Sequence, residues 1–481
     1  MAKKIDIKSN IFFNTIKTIF GIIYPLLTFP YISRVLLTEN IGKINFGNSI
    51  VSYFSLIASL GVTTYAVREC SKYKYNRVKL GEIASQILSI NVWTTLVSYI
   101  ALGITLLTAK SLYNYRLLII IQSSTILFTT LGADWLNTAM EEFRFIAIRT
   151  MGMQLVSVIL MLIFVRSPED YLVYAAISVI ASSGANIINI FYRRRYCATR
   201  FLFHIDWKKH LPPILLLFSL LLSQTIYTSS DTTILGLIKG DYQVGLYSTS
   251  VKIYNIVNSV VASVAWVVMP QLSSEFEKNN YEKINELLKC SLNYIIILGL
   301  PCLIGLNTIT KEIIILIAGE EYLCAALSLR ILTISLACSF ISGWIGNMMM
   351  LPAGKEKVCL KASVCSAIIN VILNLWLIPI WGLNAAAATT AISEFIGIVI
   401  KYPYIDKNIK ISGLRQMLEG PIIGAVCVAL ISVAIKYFIE SEYLIAIFTI
   451  MISIAVYFGV LILMKNEFVL DYVKTIKKKR S

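Results

Sequence analysis

Long apolar runs alternate with short polar or basic connections along almost the whole chain. A membrane-spanning helix needs about 20 predominantly apolar residues. Runs of that length lie near 11–33, 42–66, 83–108, 112–137, 146–165, 171–192, 211–237, 245–269, 290–308, 325–350, 359–379, 384–402, 417–437 and 443–464. The pattern predicts an all-α polytopic membrane protein of about 14 transmembrane helices. The stretch "SQTIYTSSDTTILGLIKG", residues 223–240, stands out, because Asp231 sits about halfway along a predicted span. A charge at such a depth costs roughly 2.5–3.5 kcal/mol on insertion scales.

Helical spacing gives Asp231 a context. Gln224, Thr228 and Asp231 fall at i, i+4 and i+7 and share one face. Ser248, Lys252, Asn255 and Ser259 do the same on the eighth span, and Asn10, Asn14, Lys17, Gly21 and Tyr24 on the first. Asn45, Asn48, Ser52 and Ser59 form a weaker stripe on the second. Lipid cannot satisfy such groups, so these faces point either to a water-filled interior or to one another. Bonding between helices contributes about 0.6 kcal/mol per contact. Lys17 and Lys252 ask for more, since a cation inside a span needs a wet cavity or a counter-charge, and Asp231 is a candidate partner. The candidate substrate-binding set is Lys17, Lys252, Asp231, Asn14, Tyr24, Gln224, Asn255 and Asn48. Arg330 and Glu394 also lie within predicted spans, while Arg34 at a helix end is explained by snorkelling.

Composition agrees with this class: 57% of residues are hydrophobic, 15% are charged and the mean hydropathy is +0.74. The net charge of +16 would suit nucleic acid in a soluble protein, but its distribution argues otherwise. With the N-terminus inside, the segments 1–10, 68–81, 140–150, 193–210, 273–289, 354–361, 401–416 and 465–481 hold 32 of the 43 basic residues. This positive-inside asymmetry implies an even span count with both ends cytoplasmic and no nucleic-acid role. The tail "VKTIKKKRS" reads as a stop signal beside anionic lipid. Nine scattered cysteines show no metal spacing, and His204 and His210 are the only histidines, so no metal or cofactor is expected. The opening segment lacks a small-residue cleavage site and reads as a retained first helix. No Walker motif appears, so transport must draw on an H⁺ or Na⁺ gradient or on the substrate's own supply. Asp134 and Glu141, seven residues apart, read as one helical face near a cytoplasmic end; they make too thin a site for an enzyme.

Internal similarity completes the organisation. Aligning Ile41-Gly42 with Val244-Gly245 gives an offset of 203 residues, each Gly opening a helix after a short acidic loop. Asn137 aligns with Asn347 at an offset of 210. The expectation is a first lobe over 1–195 (spans 1–6), a second over 196–410 (spans 7–12), related by a parallel pseudo-twofold repeat, and two appended helices with a basic tail over 411–481. A cleft between two such lobes is a place for substrate.

Three stretches carry a family resemblance. "GADWLNTAMEEFRFIAIRTM" (132–151) resembles the DW-x5-E-x-[FY] pattern of bacterial polysaccharide flippases, departing from it at Ala139, where Gly is usual. Residues 14–70 look like that family's opening, and 229–276 are similar to its seventh and eighth helices. The chain thus resembles the Wzx-type flippases of the MATE-like multidrug/oligosaccharidyl-lipid/polysaccharide exporter superfamily. The resemblance implies translocation of undecaprenyl-pyrophosphate-linked oligosaccharide repeat units across the bacterial inner membrane, by alternating access through a cationic central cavity. It also implies a polysaccharide polymerase and a chain-length regulator as candidate partners. In the related lipid II flippases, basic residues on the first and eighth helices face the cavity, and Lys17 and Lys252 lie on the corresponding helices. Pro25, Pro30 and Pro270, with Gly42 and Gly245, are candidate bending points, Pro270 reading better as a helix end. The alternatives are a multidrug or organic-cation exporter, which would prefer an acidic aromatic cavity, and a lipid II flippase. A polymerase would carry a long outer loop, and every predicted outer loop is short.

Overall fold

A computed structural model describes residues 7–466 and 468–470, and the described residues contain no strand. Residues 1–245 and 246–481 form two compact units. The first holds α1 (Ile7–Ser59), α2 (Val62–Ser71), α3 (Arg77–Thr108), α4 (Arg116–Gly132), α5 (Trp135–Ala139), α6 (Phe143–Phe164), α7 (Tyr171–Tyr192) and α8 (Trp207–Lys239). The second follows with α9 (Asp241–Glu277), whose first turn still belongs to the first unit, α10 (Tyr281–Thr308), α11 (Thr310–Ile317) and α12 (Ala326–Trp344). It closes with α13 (Glu356–Trp381), α14 (Leu383–Lys401), α15 (Leu414–Phe438) and α16 (Glu442–Leu463).

Among the described residues, 13 helices are long and apolar enough to cross a membrane, against fourteen expected spans. The difference lies in the first, a continuous stretch over Phe12–Ser71 of 60 residues. At roughly 1.5 Å per residue it would extend about 90 Å, three times a hydrocarbon core of roughly 30 Å. Leu37 leaves helical geometry inside α1 (φ 64°, ψ 173°), between the expected spans 11–33 and 42–66. One helix therefore carries two spans.

The part of α1 before Leu37 is tied to α6 and the turn after it. Tyr24 and Ser157 hydroxyls meet at 2.8 Å, and Tyr31 donates to the Val165 carbonyl at 2.7 Å. The part after Leu37 runs antiparallel to α8. Gly236 packs on the Phe46 ring, Thr233 donates to Ser49 at 2.8 Å, Ser52 donates to Ser229 at 2.9 Å, and Gly61 meets Leu217. Small hydroxyl residues let these helices approach closely, since apolar burial alone does little for helices already in lipid. This ladder places α8 within the first compact unit, so compactness draws its boundary at Gly245, whereas the repeat was read to divide near residue 195.

Gly42 and Gly245 sit inside helices rather than opening them, because α9 already begins at Asp241. They serve a close crossing. A Cβ on Gly42 would lie 2.6 Å from the Asp241 carbonyl carbon, and one on Gly245 would lie 2.8 Å from Thr38 Cγ2 and overlap the Thr38 carbonyl. Thr38 and Asp241 stand in the same 203-residue relation as Gly42 and Gly245, so the crossing repeats itself about a local twofold. A second parallel is seen farther on. A 3-10 helix over Lys110–Tyr115 leads into α4, and another over Glu320–Ala325 leads into α12, each end displaced by 210 residues. Pro270 lies within α9, which continues to Glu277, so it is not the helix end expected of it.

In the second unit α14 packs against both α12 and α13, and α15 pairs with α16 and with α10. Several buried polar groups pair across helices: Trp344 donates to Ser291 at 3.0 Å and Asn307 to Thr333 at 2.7 Å. Asn374 donates to Asn370 and accepts from Thr389. The short α11 buries Glu312, which is ion-paired with Lys436. Outside the spans, the Asn408 backbone N–H and the Tyr281 hydroxyl hold the Asp406 carboxyl below the usual carboxylate range.

Candidate functional site

Each unit carries a helix face marked by polar residues, several of them exposed. In the first, Asn14 is exposed and Lys17 half-buried on α1. Tyr24, farther along the same stripe, spends its hydroxyl on Ser157. Gln224 and Thr228 are exposed on α8, with Thr228 bonded back to the Gln224 carbonyl at 3.0 Å. Asp231 is 5% exposed and lies within electrostatic reach of Tyr53. Its neighbours Ser229 and Thr233 belong to the ladder with Ser52, Ser49 and Tyr53. The second-span stripe divides accordingly: Asn48 is exposed, Asn45 bonds back to the Ile41 carbonyl, and Ser52 joins helices.

In the second unit Lys252 is half-buried and Asn255 exposed on α9. Two turns after Lys252, Asn258 lines a cavity of about 150 Å³ with Ser339 and Asn347, among mostly apolar groups such as Val261, Phe340 and Trp344. After Trp344 the helix widens into a π-turn over Ile345–Met350, a distortion often found at functional sites. α9 thus carries a half-buried cation and, within two turns, the amides of Asn255 and Asn258. Asn258 was legible from its i+3 spacing to Asn255, whereas Ser339 and Asn347 reach the cavity only through tertiary packing. Arg330 falls in the second turn of α12 and its Nε donates to Thr310 at 3.4 Å.

The motif at 132–151 does something different. Ala133 and Glu141 both adopt left-handed backbone (φ 47° and 59°), so α4, α5 and α6 are separate helices. Asp134 and Glu141 therefore do not share a helical face. Asp134 forms an ion pair with Arg149, a guanidinium only 6% exposed. Asn137 donates to Asp134 at 3.0 Å and to Asn189 at 2.6 Å, and Asn189 donates to the Gly132 carbonyl at 2.7 Å. Glu141 turns to Lys74 at 3.0 Å. The motif locks the ends of α4, α6 and α7 into one block. Asp134→Ala should cost about 3 kcal/mol by leaving the guanidinium buried without its partner. The double variant Asp134→Leu/Arg149→Met should regain most of that loss in detergent unfolding measurements. Simple additivity of the single losses would deny the coupling.

The sequence profile of the polysaccharide biosynthesis protein family matches residues 7–276, more than half of the chain. The chain belongs to this family. A protein of Shigella dysenteriae, assigned as a candidate O-antigen transporter, is 24% identical over 366 residues, 75% of this chain and 90% of its own length. Among solved structures, the lipid II flippase MurJ in an inward closed conformation aligns with TM-score 0.74 at 16% identity, over 96% of this chain and all of that one. An inward-facing multidrug resistance MATE family transporter of the MOP superfamily aligns with TM-score 0.59 at 13% identity, over 81% of this chain and 93% of that one. The Wzx-type, MATE-like resemblance read from residues 14–70, 132–151 and 229–276 is borne out, as is the all-α, multi-pass fold class. For this polysaccharide biosynthesis family member the match extends from α1 through α9, covering the helices that carry Lys17 and Lys252.

Proposed function

We propose that this protein flips undecaprenyl-pyrophosphate-linked oligosaccharide repeat units, precursors of O-antigen, capsule or a similar surface polysaccharide, across the bacterial inner membrane, with both of its termini cytoplasmic. The carrying observation is Lys252, a half-buried cation inside a predicted span, with the exposed Asn255 one turn on. The family and the relative assigned to O-antigen transport support the glycan-lipid reading. Lys17 and Lys252 neutralise the pyrophosphate, and Asn14, Asn48, Gln224 and Asn255 meet sugar hydroxyls. Tyr24 exchanges its Ser157 bond for substrate during the cycle, and Asp231 balances charge. Alternating access moves the cationic cavity from one membrane face to the other, coupled to H⁺ or Na⁺, and hands the unit to a polymerase and its chain-length regulator.

The test is complementation. In a strain lacking its own repeat-unit flippase, expression should restore surface glycan. Rescue of cells depleted of their lipid II flippase, without restored surface glycan, would replace this substrate by lipid II.

A further inference from the structure

We infer that the ends of α10, α15 and α16 bind a phosphate ester whose substituent carries a hydroxyl, as the headgroup of an anionic phospholipid does. A cavity of about 260 Å³ lies there, several times the roughly 30 Å³ that one water occupies in the liquid. It stands at headgroup level, since α10 and α15 begin beside it and α16 ends beside it.

Its chemistry is that of an anion site with an extra acceptor. Lys289 and Lys465 line it, both exposed. Among the described lining residues the acidic one, Glu419, is engaged by Arg415 at 2.9 Å, beside the two cations. Gly413, in left-handed backbone (φ 77°), starts α15 with no side-chain cap, so the first N–H groups of a 25-residue helix are open to an anion. A Cβ at Gly413 would come 3.7 Å from Lys289 Nζ, which places the ammonium beside that helix start. Asn293, also in the wall, has a buried Oδ1 without a hydrogen-bond partner. A bare phosphate leaves that acceptor idle, whereas a hydroxyl on the ester satisfies it once the half-buried Asn293 amide turns toward the cavity. The approach to α15 is held in place, because the Lys410 N–H donates to Asn285 at 3.0 Å and Tyr281 to Asp406 at 2.9 Å.

The test uses the purified full-length chain in detergent with phosphatidylglycerol, phosphatidic acid or phosphatidylcholine added, read by native mass spectrometry. Phosphatidylglycerol should bind most tightly. Lys289→Gln/Lys465→Gln should weaken it about 25-fold, roughly fivefold per cation, and Lys289→Arg/Lys465→Arg should keep it. Asn293→Leu should erase the preference over phosphatidic acid. Displacement by millimolar inorganic phosphate would make a soluble phosphate ester the occupant, and resistance to it a lipid headgroup; either supports the site. Equal binding of phosphatidylcholine, or unchanged affinity in the double glutamine variant, would overturn it. Glycan export plays no part in this readout, so the inference and the flippase reading fail separately.

Discussion

Lys252→Ala should reduce surface glycan to the level of a strain without the gene, while the amount of protein in the membrane stays normal. The expectation follows from position. An ammonium held inside a span is expensive in hydrocarbon and is kept where it meets water, a counter-charge or an anionic substrate. Lys252 lies half-buried on α9, one turn before the exposed Asn255. Removing it takes away charge that a pyrophosphate needs during desolvation. Lys252→Arg should restore part of the export, because charge rather than shape is in demand. Lys17→Ala should fall in the same direction. Wild-type glycan on cells carrying Lys252→Ala at normal protein level would remove this residue from the site.

Gly42→Ala should nearly abolish accumulation of folded protein, and Gly245→Ala should do the same. A real Cβ essentially never lies within 3.0 Å of another heavy atom, and each added methyl here meets a backbone carbonyl that cannot rotate aside. Ordinary overpacking costs about 1–3 kcal/mol where side chains can shift; here two helix backbones must separate. The matched control is Gly152→Ala, where the added atom finds nothing within 4 Å. Membrane levels of the three variants, and their melting temperatures in detergent, decide the matter. Normal levels and melting for Gly42→Ala would mean that the crossing is not a fixed contact of the folded protein.

The fold was legible because its dominant signal is local. A run of about 20 apolar residues reads as a span whatever surrounds it, and fourteen runs were visible where thirteen helices carry them. The turn at Leu37 was not marked, since a branched apolar residue at positive φ carries no turn signal and only the length of α1 demands a break. The same limit explains Asp134 and Glu141. Their seven-residue spacing fits one helix face, but Ala133 and Glu141 enter left-handed backbone without a glycine, and the carboxylates part towards Arg149 and Lys74. Gly42 and Gly245 were correctly paired by the repeat and misread in role, because a close crossing depends on a helix 203 residues away. Polar stripes were legible as stripes. Whether a hydroxyl lines a cavity or joins two helices is set by the facing helix: Ser52 and Tyr24 are engaged with Ser229 and Ser157, while Asn14, Asn48, Gln224 and Asn255 are exposed.

The central claim is that membrane-embedded positive charge carries a pyrophosphate-linked glycan through the bilayer. Reconstitution tests it most directly. Purified protein is placed in liposomes containing a fluorescent undecaprenyl-pyrophosphate oligosaccharide, and its arrival in the outer leaflet is followed with a membrane-impermeant glycosidase. Wild-type protein should expose inner-leaflet substrate many times faster than protein-free liposomes, and Lys17→Ala/Lys252→Ala should match the protein-free rate. Equal rates for the wild type and the double variant would contradict the claim.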